Sequence, residues 1–256
     1  MKVTAFVGSA RKKHTYNTCE MLLEKLKSFG NIETEIVCLQ NFNLQVCKGC
    51  IACLDRGEEY CPLTDDRDLL INKMKESDGV IFATPNYSFN VSALMKIFLD
   101  RLAYFGHRPA FFGKTFTSIV VQGIFGGEKI VKYLDFLGNA IGYNVVKGSL
   151  IKSLEPMTEK NQKKNEIAIE KQAKKFYKQL IKKGFKNPSL LELFIFRMSR
   201  SSIKTMLNEN YRDYEYFKKN GWFDSDFYYP IKINILEKMF GDIFDKISVK
   251  AAKNRK

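Results

Sequence analysis

The chain has 256 residues, 45 % of them hydrophobic, and a formal net charge of +14. That length fits one large domain, or a domain with an elaborated end, and the hydrophobic content excludes wholesale disorder. No charge-free apolar run is long enough to span a bilayer, and the apolar run in MKVTAFVG is too short for a signal-peptide core. The expected location is therefore cytoplasmic, with no membrane span.

The first 150 residues alternate between two periodicities. Residues 3–8, 34–39, 79–84, 116–122 and 143–149 are short apolar runs rich in branched side chains. Each reads as a strand buried on both faces. Helical patterns lie between them, at roughly 17–29, 66–77, 90–105 and 127–141, and 157–184 supplies a last covering helix. Strands alternating with helices predict an α/β domain, a five-stranded parallel sheet with helices on both faces. The lysines responsible for much of the charge line the solvent side of the 159–186 pattern, opposite an apolar stripe of Ile167, Ile169, Ala173, Phe176, Tyr177, Leu180 and Ile181. That arrangement reads as a solvated helix face, so no nucleic-acid partner is expected.

The character changes near residue 188. An aromatic-rich segment contains the single tryptophan, Trp222, and is followed by an amphipathic pattern at 233–247. The expected organisation is a domain over 1–186 and a helical extension over 187–256. The rings of YRDYEYFKKNGWFDSDFYYP would either shape an acceptor pocket or pack as the core of that extension.

In an open parallel sheet, ligands bind beyond the carboxyl ends of the strands. Three loops occupy such positions. GSARKKHTYNT, residues 8–18, combines Gly8, hydroxyl and amide side chains, three basic residues and a helix start, which suits a phosphate. TPNYS, residues 84–88, sets a stiff turn, an amide and an aromatic ring at a strand mouth. Gln122, Gly123 and Gly126, after the fourth strand, allow close backbone approach to a ligand. His14 and His107 lack a partner motif. Asp65, Asp66 and Asp68 precede a helix whose dipole they would complement.

After the second strand comes CKGCIACLDRGEEYC, with Cys47, Cys50, Cys53 and Cys61 spaced C-x2-C-x2-C-x7-C. Adjacent members would close only tiny disulfide loops. Three thiolates from one short loop suit a [4Fe–4S] cube better than the separated knuckles of structural zinc. Cluster, zinc and free redox-labile thiols stay open. Cys19 and Cys38 fall on helix and strand patterns and read as packing residues.

Taken in order, GSARKKHTYNT, CKGCIACLDRGEEYCPLTDD and TPNYSFNVSALMKIFLDR resemble the NADPH-dependent FMN reductase family, and within it the iron–sulfur flavoprotein branch. The resemblance covers residues 1–150 and implies a flavodoxin-like sheet of order 2-1-3-4-5 that binds FMN. It assigns the phosphate to Ser9, Arg11, Thr15 and Asn17. The ring goes to Thr84, Pro85, Asn86, Tyr87 and Ser88, with Gln122, Gly123 and Gly126 at its other edge. Ala10 stands where typical members carry proline, and the Asn–Thr pair arrives two residues late. The implied activity is that of an FMN-dependent oxidoreductase. It takes hydride from NAD(P)H and passes electrons to flavin, quinone-like or other small acceptors, with no catalytic side chain required. The alternatives are an iron–sulfur electron carrier with ferredoxin-like partners, its cluster on Cys47, Cys50, Cys53 and Cys61, and a non-catalytic flavin sensor. The segment starting near Ser92 is the one the family uses to form homodimers or tetramers.

Overall fold

The computed structural model describes residues 1–254; Arg255 and Lys256, the end of the expected extension, lie outside the described residues. In chain order, β1 (Lys2–Val7), α1 (His14–Lys27) and β2 (Glu33–Cys38) are followed by a short α2 (Ala52–Asp55) and by α3 (Arg67–Glu76). Then come β3 (Gly79–Pro85), α4 (Ala93–Arg101), β4 (Thr115–Gln122) and α5 (Gly127–Ala140). Two short strands, β5 (Asn144–Val145) and β6 (Ser149–Lys152), precede α6 (Glu159–Lys182). The extension holds α7 (Leu190–Met206), α8 (Arg212–Lys219) and α9 (Ile235–Lys253). Two compact units result: Met1–Lys48 with Leu63–Gly184, and Gly49–Pro62 with the chain from Phe185 onward.

The first unit is a flavodoxin-like α/β sheet of order β2-β1-β3-β4-β5, parallel throughout. β3 and β4 are buried along their whole length, as strands covered on both faces must be. Val3, Ala5 and Val7 face one side and pack with Leu22, Leu23 and Leu26 of α1 and Ile169, Ala173 and Phe176 of α6. Phe6 faces the other side, stacked on Phe98 of α4 at 5.3 Å, while Phe82 meets Phe116 edge-on at 5.1 Å. Each such side chain contributes about 1.5–3 kcal/mol by leaving water.

The fifth strand, expected as one run over 143–149, is instead two pieces. β5 pairs with the start of β4 and β6 with its end. Between them the Gly148 N–H turns aside to the Asp135 carboxylate at 3.2 Å, and the Lys147 carbonyl accepts from Gln172 Nε2 at 3.0 Å. Side-chain partners from α5 and α6 replace the ladder there.

One close approach ties the sheet to α4. Ser92 caps α4, accepting the Met95 N–H at 3.2 Å, and donates its own hydroxyl to the Gly8 carbonyl. A Cβ on residue 8 would lie 2.7 Å from Met95 Cβ. Gly8→Ala is therefore expected to cost about 1–3 kcal/mol of stability by pushing α4 off β1. Denaturant unfolding checks this, and an unchanged midpoint would show that α4 yields freely.

In the second unit the aromatic side chains bury one another. Trp222 stands edge-on to Phe217 at 5.0 Å and to Tyr228 at 4.7 Å, and its indole N–H donates to the Tyr228 carbonyl at 3.0 Å. These rings therefore form a core, the second of the two expected roles. At its polar heart, the buried Arg197 of α7 pairs with Asp226 and, at 2.8 Å, with Asp245 of α9. Within the same unit, Arg212 of α8 approaches Glu58 at 3.8 Å, next to the half-exposed Cys53 and Cys61 segment.

Candidate active site

The exits of β1, β3 and β4 converge on a cleft of about 300 Å³, lined by Ser9, Arg11, Lys13, His14, Thr15, Pro85, Asn86, Tyr87, Val121, Gly123 and Ser153. Seven residues singled out from the sequence meet there: Ser9, Arg11, Thr15, Pro85, Asn86, Tyr87 and Gly123.

One end of the cleft is built for an anion. α1 begins at His14 without a side-chain cap and without an acidic residue in its first turn. Its first N–H groups consequently keep their positive end of the helix dipole. Ser9 shapes the preceding loop, donating to the Arg11 carbonyl at 2.9 Å and accepting the Arg11 N–H at 3.3 Å. Arg11 and Lys13 add charge, and His14 Nε2 lies 3.1 Å from Glu155.

The other end is set by the Pro85–Tyr87 turn. The Asn86 N–H donates to the Val121 carbonyl at 2.7 Å, which fixes the backbone across β3 and β4. Its side-chain Nδ2 donates to the Phe125 carbonyl at 3.0 Å, leaving Oδ1 buried with no hydrogen-bond partner. A buried acceptor without a donor costs about 1–3 kcal/mol, so a donor supplied by a ligand would relieve it. Above it, Ser88 and Phe89 both adopt left-handed backbone, at φ 50° and 62°, so that Tyr87 and Asn90 exchange two hydrogen bonds in a tight hairpin. The exposed Tyr87, Phe89, Ile124 and Phe125 rim this end, with Phe89 and Phe125 5.5 Å apart.

Five expected residues do not line this cleft. Thr84 is buried and spends its hydroxyl on the Pro85 carbonyl and the Ser92 N–H. Gln122 turns inward, its Oε1 accepting the Gly127 N–H at 2.7 Å at the start of α5. Gly126, at φ 96°, makes room for Phe89, whose ring would meet a Cβ there at 2.6 Å. Ser88 belongs to the exposed hairpin tip. Asn17 lines a neighbouring groove of about 150 Å³ with His14, Thr18, Met21 and Ser153. Sequence reading missed Ser153, which follows the unforeseen break in the fifth strand, and the Phe89–Phe125 rim, which only the hairpin creates.

The root of the cysteine segment is tied down within the first unit. Arg101 and Asp65 form a buried ion pair, 2 % and 1 % exposed, and Arg101 also donates to the Gln45 carbonyl at 3.0 Å. Asp65 accepts the Gln45 N–H at 2.9 Å, and Asp66 exchanges hydrogen bonds with the Asn43 backbone. Of the three acids expected to serve a helix dipole, Asp65 thus has a different role. Burial raises its carboxyl, but Arg101 and two backbone N–H groups outweigh that and hold it below the usual range.

Beyond this root the backbone turns through left-handed positions at Gly49, Ile51 and Gly57. Cys47 and Cys50 are exposed and Cys53 and Cys61 half-buried, while Cys19 and Cys38 are buried. Among the described residues, no three or more His, Cys, Asp or Glu side chains gather as metal ligands would. Among them, too, no helix is long and apolar enough to cross a membrane.

Residues 1–153 match the family model of the NADPH-dependent FMN reductases. An iron–sulfur flavoprotein of Archaeoglobus fulgidus is 38 % identical over 162 residues, 59 % of this chain and 72 % of that protein. One from Clostridioides difficile is 27 % identical over 225 residues, 85 % of this chain and 95 % of that protein. Among solved structures, RosB with bound 8-demethyl-8-formylriboflavin-5'-phosphate superposes with a TM-score of 0.55 at 14 % identity, covering 92 % of each chain. That likeness speaks for the fold.

Proposed function

The chain belongs to the NADPH-dependent FMN reductase family, and from that premise we propose that its cleft holds FMN between the start of α1 and the Pro85–Tyr87 turn. It is an FMN-binding oxidoreductase resembling NAD(P)H-dependent flavin and quinone reductases. When bound, the flavin supplies the hydride acceptor and the electron donor, so the protein needs only to hold and align the reactants.

The observation that carries this reading is one cleft joining an uncapped, basic helix start to the unpartnered Asn86 Oδ1. Ser9, Arg11, Thr15 and the first N–H groups of α1 would hold the phosphate. Asn86 Oδ1 would accept a ring N–H, with Phe125 orienting the amide. Pro85, Tyr87 and Gly123 would bound the ring, and the Phe89–Phe125 rim would exclude water from it. Thr84, Ser88, Gln122 and Gly126 would act one layer out, by fixing these loops, and Asn17 at the edge nearest α1. The flavin domain would be 1–186, apart from the Gly49–Pro62 loop that groups with the 187–256 extension, in a cytoplasmic homodimer or tetramer.

A second reading rests on the C-x2-C-x2-C-x7-C spacing and on relatives that are named iron–sulfur flavoproteins. It would place a [4Fe–4S] cluster on Cys47, Cys50, Cys53 and Cys61 and electrons on a ferredoxin-like partner. Among the described residues these four thiols are not gathered as metal ligands would be.

Anaerobic purification with flavin and iron counted per chain tests both readings, followed by NADPH reduction and turnover with a quinone. One FMN per chain and turnover are expected. A chain without flavin and without micromolar FMN affinity would sink the flavin site. Reduction without turnover would leave a sensor, and four irons per chain would establish the cluster.

A further inference from the structure

The described part of the extension ends in a helix with an apolar face left exposed among the described residues. Along α9, Ile235, Leu236, Met239, Phe240, Ile243 and Ile247 recur at three- and four-residue spacing, and so share one side. Their exposure runs from 48 % at Ile243 to 80 % at Ile235. The opposite side is occupied, because Gly241, Ser248 and Ala252 are buried and Phe244 meets Phe194 of α7 at 4.4 Å. A contiguous apolar stripe of this size on a soluble surface marks an interaction site.

Charge selects the partner. Each acid of α9 has a partner: Glu237 closes a capping box with Asn234, the exposed Asp242 lies 3.6 Å from the buried Arg197, and Asp245 lies 2.8 Å from it. Lys238, Lys246, Lys250 and Lys253 have no ion pair among the described residues. The helix therefore presents an apolar stripe bordered by uncompensated positive charge, on a chain of net charge +14. A second copy docked on this stripe would bring the lysines of one α9 toward those of the other. An anionic surface satisfies both features, taking the apolar side chains among acyl chains and the lysines among headgroups.

We propose that α9 is an interfacial anchor that lays this protein on an anionic lipid bilayer, without crossing it. This is independent of the flavin reading.

Co-sedimentation of the full chain with vesicles of equal parts phosphatidylglycerol and phosphatidylcholine is the test, with pure phosphatidylcholine vesicles in parallel. Binding to the anionic vesicles is expected, weakening as salt is raised. Lys246→Glu with Lys250→Glu should weaken it about tenfold or more, and Phe240→Glu with Ile243→Glu should abolish it. Both variants alter exposed positions, and unchanged circular dichroism and melting verify that they fold. Absence of binding by the unaltered chain at low salt overturns the proposal. So does a concentration-dependent dimer that Phe240→Glu with Ile243→Glu dissolves while vesicle binding persists.

Discussion

Thr15→Asp is expected to lower FMN affinity by about 100-fold and to leave riboflavin affinity unchanged. Thr15 is buried in the first turn of α1 and lines the cleft. A carboxylate there suits the helix, since acids in a first turn favour the dipole, so the fold should persist. Toward a ligand phosphate the same carboxylate is a like charge. Two unit charges about 5 Å apart cost about 3 kcal/mol at an effective dielectric of about 20, which is about two decades in affinity. Titration with FMN and with riboflavin separates the phosphate from the ring. Equal losses for both would remove the phosphate from the start of α1, while unchanged affinity for both would remove the flavin from this cleft.

Arg101→Met should destabilise the protein by about 3–5 kcal/mol, the cost of leaving one member of a buried ion pair alone. Asp65 would keep the Gln45 and Arg67 N–H groups but lose the guanidinium that offsets its burial. For a chain of this size the melting temperature should fall by about 10 °C. Adding Asp65→Asn should restore part of that, since the amide keeps an acceptor for those N–H groups without a charge. A carboxyl held below its unfolded value stabilises the fold above that value and stops doing so as pH falls through the folded one. Below about pH 4 the gap between the native chain and Arg101→Met should therefore narrow. A gap that stays constant with pH would show that Asp65 does not carry the charge of this pair.

The two substitutions sit at opposite ends of what could be read from residues alone. The loop after β1 was legible as a candidate anion site because its features are local: a glycine at a strand exit, small polar side chains and a helix start fall within ten or so consecutive positions. The Arg101–Asp65 pair joins positions 36 apart in the chain. Nothing in either neighbourhood marks it, and Asp65 read more simply as a helix-start acid.

Periodicity by itself determined the α/β class, the first four buried parallel strands and the helices of the first unit within a few residues, since burial on both faces or on one stripe writes its period into the chain. It also determined which three loops meet at the carboxyl edge of the sheet. Tertiary structure decided which way side chains on those loops turn. Gln122 faces α5 because the Gly127 N–H needs an acceptor. Thr84 is consumed by Ser92, and Asn86 leaves Oδ1 buried and unpartnered because Phe125, 39 residues away, takes its Nδ2. It decided likewise that the fifth strand breaks at Gly148, where Asp135 replaces the ladder, and that Asp242 and Asp245 of α9 turn to Arg197. A hydrogen bond or an ion pair goes to whichever partner the fold brings within reach, and the order of residues along the chain does not state that distance.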